Sequence, residues 1–510
     1  MIRTIYIGFI TILDWLIWNL DVNRSVHKFF LSPYVGNFRL MLGKVRAVRL
    51  YRYSVKHVPA YRDYISKHSV NGPIVKLRSV SLGDVPEMDK TSYIKKYPLL
   101  DTLMDGKLPK RGVMFDESSG SSGHPTSWVR GNKEHRFTRR TMQVAFSHFF
   151  GKNSPIVLNT FSMGAWATGV NTTISLLPVT RLKSIGPDIT KVINTLHELG
   201  SDFDYVIAGY PPFLKQIADS DEIDWSKYKI SAVFGGEGIS EPMRKELLKK
   251  YKEVLGSYGA SDLEINIASE SPFTIALRQA LVDDAELRQQ LLTHNPNMIP
   301  SIFQYNPYEY LIETNDKDEL LVTIGRLQNV SPRIRYNIHD VGHAEHFYDL
   351  KRKLKKSGYG HLLKYAELDY GVLFHYGRSD LSVDYNGAVV GAEEIKQIVN
   401  QSQTYANTVN NFRLISYEDK DSNKHLLLAF ELAHDKKLSD NQKDNLLEEI
   451  IAELQKLNLD FKSAYSSAPL KPELKTYAHS TGIFDTAHTK LKNDYVWNID
   501  YNRAKEEKII

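Results

Sequence analysis

The sequence predicts an α/β fold with a large N-terminal domain of mostly parallel sheets and a small β subdomain, plus a small α+β C-terminal domain. Strand-like apolar runs alternate with helix-like runs through the middle of the chain, which is typical of parallel βαβ units. One such run, 230–234, ends in a Gly-Gly pair, and glycine-rich strand ends are frequent ligand sites in these sheets. The pattern then changes to paired strands within 309–335, and to shorter elements beyond 377.

Composition limits the classes of function. The 510 residues suffice for two or more domains with a sizeable core. The net charge of +5 comes from charges of both signs dispersed along the chain, without the basic stripe of a nucleic-acid-binding protein, so we expect no nucleic-acid partner. The absence of cysteine excludes disulfides, thiolate catalysis and Cys-ligated zinc.

The most apolar segment lies at the N-terminus, at residues 4–20. It is slightly short for a bilayer span, contains Asp14 and lacks a small-residue cleavage site. Its two tryptophans and the basic residues that follow fit a helix in a membrane interface. The alternatives are packing on the protein's own body or on a second subunit, as in a homodimer. We therefore expect an apolar N-terminal helix within 1–37 of a cytoplasmic protein, with peripheral membrane contact left open.

Taken in order, the elements support the fold class. Helical periodicity covers 38–65, and turn-rich connections follow up to residue 98. The next helices are predicted at 133–150, 185–199, 211–218 and from Ser240, and the strands at 111–115, 156–159, 172–177, 205–209 and 230–234. The paired strands of the β subdomain are 310–313 and 319–324. The C-terminal domain should contain a hairpin at 381–387, helices at 392–400 and 440–457, and a strand at 426–432.

A run of small residues, Ser118 to Gly123, follows the predicted strand 111–115 and precedes His124, Pro125 and Thr126. Glycine tolerates the positive φ values that turn successive N–H groups inward into an anion nest. The run therefore suits a polyphosphate, although a flexible linker has a similar composition. It is not a Walker loop, because no Gly-Lys-Ser/Thr follows at the required spacing, and a P-loop kinase is a poor alternative.

Several motifs occur in one order along most of the chain. They are 58–62, 118–126, 235–237, 257–262, Asp340, 377–380 and a lysine near the C-terminus. This ordered set resembles the adenylate-forming ligase superfamily, and most of all its phenylacetate–CoA ligase branch. The resemblance implies an adenylate-forming N-terminal domain at 38–379 and a mobile C-terminal lid domain at 380–510.

The resemblance also implies two half-reactions. A carboxylic acid attacks the α-phosphate of ATP, with Mg²⁺ present, to form an acyl-adenylate and pyrophosphate. A thiol, of CoA or of a carrier-protein phosphopantetheine, then displaces AMP, and an amine is a further possible acceptor. The residues implied to bind ATP or AMP are Ser118, Ser119, Gly120, Ser121, Ser122, Gly123, Thr126, Gly235, Gly236, Glu237, Tyr258, Gly259, Ser261, Asp340 and Arg378.

Other roles follow from the same resemblance. Asp262 stands where the family has a glutamate that helps to hold Mg²⁺, and Glu264 is a substitute. Lys490 is the catalytic lysine, with Lys492 as the alternative. The hinge is Asp380, and the residues that approach the thiol arm are Gly387 and Gly391.

The acid-binding pocket is predicted to contain large apolar side chains, which favour an aryl or medium aliphatic acid. Its residues are Phe161, Met163, Gly164, Trp166, Phe234 and Ala260. Two other interpretations remain open. One is a metal cluster of His339, Asp340, His343 and His346. The other is a catalytically weak, membrane-associated binding or assembly component.

Overall fold

The computed structural model describes residues 8, 12, 15, 16 and 35–510, except 69–70, 77–78, 119–125, 152–153, 165–166, 237, 240, 293–295, 297, 379–381, 386–387, 420–423, 459–460, 463–464, 466–469, 486–494 and 500. Within that part, no helix has both the length and the apolarity to cross a bilayer. The four described residues of the apolar N-terminal segment are helical, and Ile12 and Trp15 are 61% and 63% exposed.

The chain then begins with two helices and two hairpins. These are α1 (Gly36–His57), α2 (Pro59–Ser66), β1 (Ile74–Lys76), β2 (Ser79–Ser81), β3 (Val113–Ser118) and β4 (Thr126–Gly131). Short single-turn helices fill the interval between the hairpins. Pro59 opens α2 at a first-turn position where proline needs no hydrogen-bond partner. The β3–β4 hairpin delivers the chain into α3 (Asn132–Phe150).

Five parallel strands follow, separated by helices. In chain order the elements are β5 (Ile156–Asn159), α4 (Ala167–Leu176), β6 (Arg181–Ser184), α5 (Ile189–Leu199), β7 (Asp204–Gly209), α6 (Pro211–Ala218), β8 (Lys229–Gly235), α7 (Glu241–Leu247) and β9 (Val254–Tyr258). The spatial order is β6-β5-β7-β8-β9, and every neighbouring pair is parallel. The strand predicted at 172–177 is wrong, because residues 172–176 form the end of α4 although the first three of them are β-branched.

The same sheet continues as an antiparallel half. Its elements are β10 (Ala268–Ser269), α8 (Pro272–Asp283), α9 (Ala285–Leu291), β11 (Ser301–Tyr305), β12 (Tyr310–Thr314), β13 (Glu319–Ile324), β14 (Tyr336–Glu345), α10 (Phe347–Lys356) and β15 (Gly371–Arg378). From β9 the order runs β10-β11-β15-β14-β13-β12, which completes 11 strands. The predicted β subdomain thus extends the edge of the parallel sheet.

The C-terminal region has its own sheet and cores. It contains β16 (Ser382–Tyr385), β17 (Ala388–Gly391), α11 (Ala392–Gln401), β18 (Val409–Glu418), β19 (Lys424–Leu432), α12 (Asp440–Leu457), β20 (Glu473–Tyr477), β21 (Val496–Ile499) and α13 (Tyr501–Glu506). Four strands form a sheet in the order β20-β19-β18-β21. Both hydrophobic clusters here are built only from residues after 382. The α/β fold class with a smaller C-terminal α+β unit is confirmed.

The parallel part of the sheet has a hydrophobic core on each of its two faces, because consecutive strand residues point to opposite sides. On the side that we call the α5 face, Leu158, Ile207 and Phe234 pack against α5, α6 and α7. On the opposite side, the α3 face, Val157 and Val206 pack against Phe146 of α3 and against α4. Helices therefore cover both faces, as expected for a parallel sheet.

Candidate active site

The β3–β4 hairpin carries the Ser/Gly motif. Ser118 at the end of β3 pairs with Thr126 at the start of β4, so the two predicted phosphate-binding ends lie opposite each other. Ser119, Gly120, Ser121, Ser122 and Gly123 lie outside the described residues. At the end of the hairpin opposite its turn, the Asn132 N–H donates to the Gly112 carbonyl at 2.7 Å.

The carboxyl end of β8 carries the predicted glycines. Gly235 pairs with Ser257 of β9 and is buried, while Gly236 has φ +83°. A Cβ on Gly236 would approach the Tyr210 ring to 2.9 Å, so glycine is required for both backbone and space. Glu237 lies outside the described residues.

The turn after β9 brings Gly259, Ala260, Ser261 and Asp262 beside that strand end. The Ala260 N–H donates to the Glu264 carbonyl at 2.9 Å, and a Cβ on Gly259 would lie 2.4 Å from the same oxygen. The turn is therefore too tight for a larger residue at 259.

Tyr258 and Asp340, 82 residues apart in sequence, meet in the structure. The Tyr258 hydroxyl donates to Asp340 Oδ2 at 2.5 Å, and His375 Nε2 lies 3.4 Å from the same oxygen. The Tyr258 ring is 8% exposed and stacks on Phe303, with ring centroids 5.6 Å apart. Asp340 also pairs across β14 and β15 with Arg378. The residues predicted to contact adenine and ribose therefore lie close together, and His375 lies beside them.

Two buried arginines that the sequence did not reveal fix the turn after β9. Arg130 of β4 donates through Nη2 to the Ser261 carbonyl at 2.7 Å, and Arg333 donates through Nε to the Asp262 carbonyl at 3.0 Å. The Arg333 guanidinium also lies 5.0 Å from the centre of the Trp128 ring of β4. The hairpin that carries the Ser/Gly motif is therefore tied directly to the motif after β9.

The two candidate metal carboxylates have different surroundings. Asp262 is half-buried, and its Oδ2 accepts from the Tyr336 hydroxyl at 2.9 Å. Glu264 is buried, with Oε1 2.5 Å from Arg326 Nη2 and Oε2 accepting from the Tyr310 hydroxyl at 2.5 Å. Burial alone would raise the pKa of Glu264, but Arg326 outweighs it and the pKa lies below its usual range. Both oxygens of Glu264 are thus engaged, which makes it a poor substitute for Asp262.

The His-rich interpretation of β14 is not supported. Among the described residues, no group of three or more His, Cys, Asp or Glu side chains has a geometry that could hold a metal ion. His339 Nδ1 lies 3.1 Å from Glu319, His343 stacks on Phe374, and the His346 side chain accepts from the Tyr348 N–H at the start of α10. The three rings serve separate local contacts.

A cavity of about 150 Å³ opens beside these motifs and extends along the α3 face of the sheet. Gly235, Gly236, Gly259, Ala260 and Ser261 border one part of it. Its other walls are mostly apolar side chains, contributed by Met142, Phe146, Phe149 and Phe150 of α3, Leu176 of α4, and Val157, Val206, Val233 and Leu255 of the strands. A mostly apolar cavity with a few polar groups at one end is a typical small-molecule site.

The predicted pocket residues divide into two groups. Phe161 and Ala260 line the cavity. Phe234 does not: it is 2% exposed in the core of the α5 face, which corrects its placement in the pocket. Met163 and Gly164 are not among the lining residues, and Trp166 lies outside the described residues. The α3 wall was missed, although its lining residues at 142, 145, 146 and 149 have the spacing of one side of a helix.

The C-terminal region holds the predicted lysine, hinge and thiol-arm residues. Lys490, Lys492, Asp380 and Gly387 lie outside the described residues. The Gly391 N–H donates to Glu394 Oε2 at 2.7 Å at the start of α11. From the same helix, Lys396 Nζ donates to the Gly238 carbonyl at 3.1 Å, which joins the C-terminal region to the loop after β8.

No protein-family model and no curated protein matches the sequence. Solved structures do match it in fold. 2-Hydroxyisobutyryl-CoA ligase in the postadenylation state with R3-HIB-AMP gives a TM-score of 0.63 at 13% identity, over 92% of this chain and 91% of that chain. Its complex with 2-HIB-AMP in the same state gives 0.62 at 14% identity, with the same coverage.

The same ligase with 2-HIB-AMP and CoA in the thioesterification state gives a TM-score of 0.51 at 12% identity, over 94% of each chain. At these identities the likeness concerns the fold, and it extends over nearly the whole length of both proteins. The chain has the fold of 2-hydroxyisobutyryl-CoA ligase.

Proposed function

We propose that this protein activates a carboxylic acid with ATP as an acyl-adenylate and transfers the acyl group to a thiol, most simply that of CoA. The observation that carries the proposal is the convergence of four distant motifs. Glu117 of the hairpin, the end of β8 and the turn after β9 line one apolar cavity, and Tyr258 at the end of β9 donates to Asp340 of β14. We place the protein in the phenylacetate–CoA ligase-like branch on its motif set.

Nucleotide binding follows from this arrangement. The backbone N–H groups and hydroxyls of residues 118–123, with Thr126, would hold the β- and γ-phosphates, since a run of small residues provides donors without side-chain bulk. The Asp340 carboxylate would accept from the ribose hydroxyls, as a carboxylate can accept two bonds. Tyr258 and Arg378 would contact adenine and the ribose or phosphate, and the hydroxyl of Tyr258 already orients Asp340.

The donor set fits Mg²⁺. Asp262 is a half-buried carboxylate one residue after Ser261, whose carbonyl is bound to the hairpin of the Ser/Gly motif. Mg²⁺ is usually held by one or two carboxylates together with substrate phosphates. Asp262 would hold the ion, which when bound would neutralise phosphate charge, and Tyr336 would orient the carboxylate.

The chemical step needs a cation where charge develops between the acid and the α-phosphate. We assign that role to Lys490. For the second half-reaction we expect the region after Asp380 to rotate, which would bring Gly387 and Gly391 toward the thiol arm. The rotation would break the bond from Lys396 to the Gly238 carbonyl. Limited proteolysis with ATP and with an acyl-AMP analogue should give different patterns, and identical patterns would contradict the rotation.

Carboxylate-dependent ATP–pyrophosphate exchange tests the first half-reaction. The wild type should exchange with at least one acid of a panel. Lys490→Ala should lower the rate by about 10²–10³-fold, the usual effect of removing a group that stabilises transition-state charge. Lys492→Ala is the matched control and should retain exchange. The reverse result would assign the role to Lys492, and no exchange with any acid would contradict the proposal.

The acceptor is tested separately. Thioester formation with CoA, and acylation of candidate carrier proteins or amines, should be followed with an acid that supports exchange. Exchange without product on CoA would favour a carrier protein or an amine. The competing idea of a catalytically weak binding component predicts that Lys490→Ala leaves the cellular phenotype intact, whereas the enzyme proposal predicts its loss.

A further inference from the structure

The cavity on the α3 face has a definite direction. It begins at Gly235 and Gly259, at the carboxyl ends of β8 and β9, and reaches Val157 of β5. The strands between these points are neighbours in the order β9-β8-β7-β5. Three interstrand steps of about 4.8 Å give the cavity a length of about 14 Å.

The floor of the cavity is set by the register of the strands. Leu255 pairs with Val233, and Val233 pairs with Ala208. Two residues earlier on β7, Val206 pairs with Val157 of β5. All five side chains line the cavity. All five are apolar, so the floor is a continuous apolar strip across four strands.

The roof is equally apolar. Met142, Phe146, Phe149 and Phe150 of α3 line the cavity from above, at helical spacing. Together with the floor, these side chains continue the apolar lining along the whole length of the cavity. An extended chain contacts more of such a lining than a single ring does.

Among the described residues, the carboxylates that line the cavity are those of Glu117 and Glu270, and neither lies at the far end. Glu117 precedes the Ser/Gly motif, and Glu270 is ion-paired with Arg244 at 2.5 Å and accepts from the Gly256 N–H at 2.7 Å. At the far end, Phe146, Val157, Leu176 and Val206 form one buried apolar cluster. A charged tail would lose its hydration there without a partner.

From this shape and lining we infer that the acid is an unbranched aliphatic carboxylic acid of medium chain length. Its carboxylate lies at Gly235 and Gly259, and its tail runs beneath α3 across β9, β8, β7 and β5. The inference rests on the proposed adenylating function of the same site. It adds the substrate class, and it separates an aliphatic acid from the aryl acids that the motif set alone also allows.

A chain-length series tests the inference. Straight-chain acids of two to fourteen carbons, with phenylacetate for comparison, should be assayed by ATP–pyrophosphate exchange. We expect kcat/KM to rise about fourfold per methylene, as each added CH₂ leaves water, until the tail fills the cavity. Phenylacetate should fall below the best aliphatic acid. A preference for phenylacetate, or a rate independent of chain length, would overturn the inference.

Two variants locate the tail. Val206→Phe fills the far end of the cavity and should move the optimum to shorter acids. Val282→Phe, the same change at a 36% exposed position of α8, is the matched control and should leave the optimum unchanged. Val206→Phe overpacks the core, which costs about 1–3 kcal/mol of stability. A second variant, Phe149→Ala at a half-buried position, instead removes volume and should move the optimum to longer acids. An unchanged optimum in both cavity variants would overturn the inference.

A binding assay separates this inference from the proposed function. Displacement of an apolar fluorescent probe by octanoate, without ATP, measures the cavity alone. Binding that Val206→Phe weakens, without exchange for any acid, would support the tail site and contradict adenylation. Exchange limited to short or aryl acids would support adenylation and overturn the tail site.

Discussion

The two faces of the parallel sheet are built from alternate residues of the same strands, yet they differ in packing. On the α5 face, Leu158, Ile207 and Phe234 are at most 2% exposed and belong to a closed core with α5, α6 and α7. On the α3 face, Val157, Val206 and Val233 border a cavity of about 150 Å³ under α3. The side chains that face the cavity are the smaller ones.

This difference fits a sheet in which one face serves stability and the other the proposed binding site. Protein interiors are normally packed as densely as organic crystals, so a cavity that reaches the strand ends has a cost that stability alone does not explain. The α5 face supplies close packing, while the α3 face leaves space next to the glycines at 235 and 259. Substitutions on the two faces should therefore have different consequences.

The largest effect is expected on the α5 face. Ile207→Ala removes a fully buried side chain from a closed core and should lower the free energy of unfolding by about 2–5 kcal/mol. The acid preference should not change, since Ile207 points away from the cavity. Urea denaturation and the exchange assay measure the two quantities. A loss below about 1 kcal/mol would mean that this face is not closely packed.

Arg130 provides the next largest effect, at the mouth of the α3 face. Arg130→Gln removes the bond to the Ser261 carbonyl and leaves Asp116, 4.0 Å away, without its cation. We expect a loss of about 1.5–3 kcal/mol in stability, as for hydrogen bonds to charged groups, and a higher KM for ATP. Arg139→Gln, on the half-buried surface of α3, is the control. An unchanged KM for ATP would contradict a positioning role for Arg130.

A smaller effect is expected on the floor of the cavity. Val206→Ala enlarges an existing space and should cost only about 1–2 kcal/mol, the transfer free energy of the lost methyl groups. Ile207→Ala is a suitable comparison, because Ile207 is the next residue on the same strand and the two positions differ mainly in the face to which they point. Equal losses per methyl group in the two variants, measured by urea denaturation, would contradict the difference between the faces.

The smallest effect concerns pH at the first turn of α3. Burial, only partly offset by Arg130, raises the pKa of Glu134 to about 7, while burial and Arg130 lower the pKa of His135 to about 4. The raised pKa of Glu134 makes stability fall as pH rises from about 4.5 to 7. The lowered pKa of His135 makes stability fall as pH drops from about 6.5 to 4, so the two contributions nearly cancel in the wild type.

Variants should separate these two contributions. Glu134→Gln should leave the His135 contribution, so that Tm falls toward pH 4.5 relative to the wild type. His135→Gln should leave the Glu134 contribution, so that Tm falls toward pH 7. Within these ranges we expect each difference to grow by about 1 kcal/mol per pH unit, or about 2–4 °C per unit. Calorimetry at several pH values measures this, and parallel Tm profiles for all three proteins would contradict the opposed shifts.

Much of the fold could be predicted, because local patterns of apolar and polar residues indicate most of its strands and helices. The strands at 310–313 and 319–324 and the helix at 440–457 appear as β12, β13 and α12. The segment 172–177 was mistaken for a strand because β-branched residues also end a helix there. The strand β6 was missed, since three of its four residues are polar and it is largely exposed at the sheet edge.

Only those parts of the site that sequence motifs mark could be predicted. Residues 230–234 are almost all apolar, so the sequence gives no sign that Phe234 points away from the cavity and Val233 toward it. Arg130 and Ser261 are 131 residues apart, and no local pattern predicts their contact. The α3 wall was predictable in principle from its helical spacing, but not the strands that it covers.

A crystal structure with a non-hydrolysable octanoyl-adenylate analogue tests the proposed acid site most directly. We predict that the adenosine lies at Tyr258 and Asp340, and that the octanoyl chain runs along Leu255, Val233 and Val206 beneath α3. An acyl chain that leaves the α3 face for solvent or enters the α5 face, or an analogue bound away from Asp340, would contradict it.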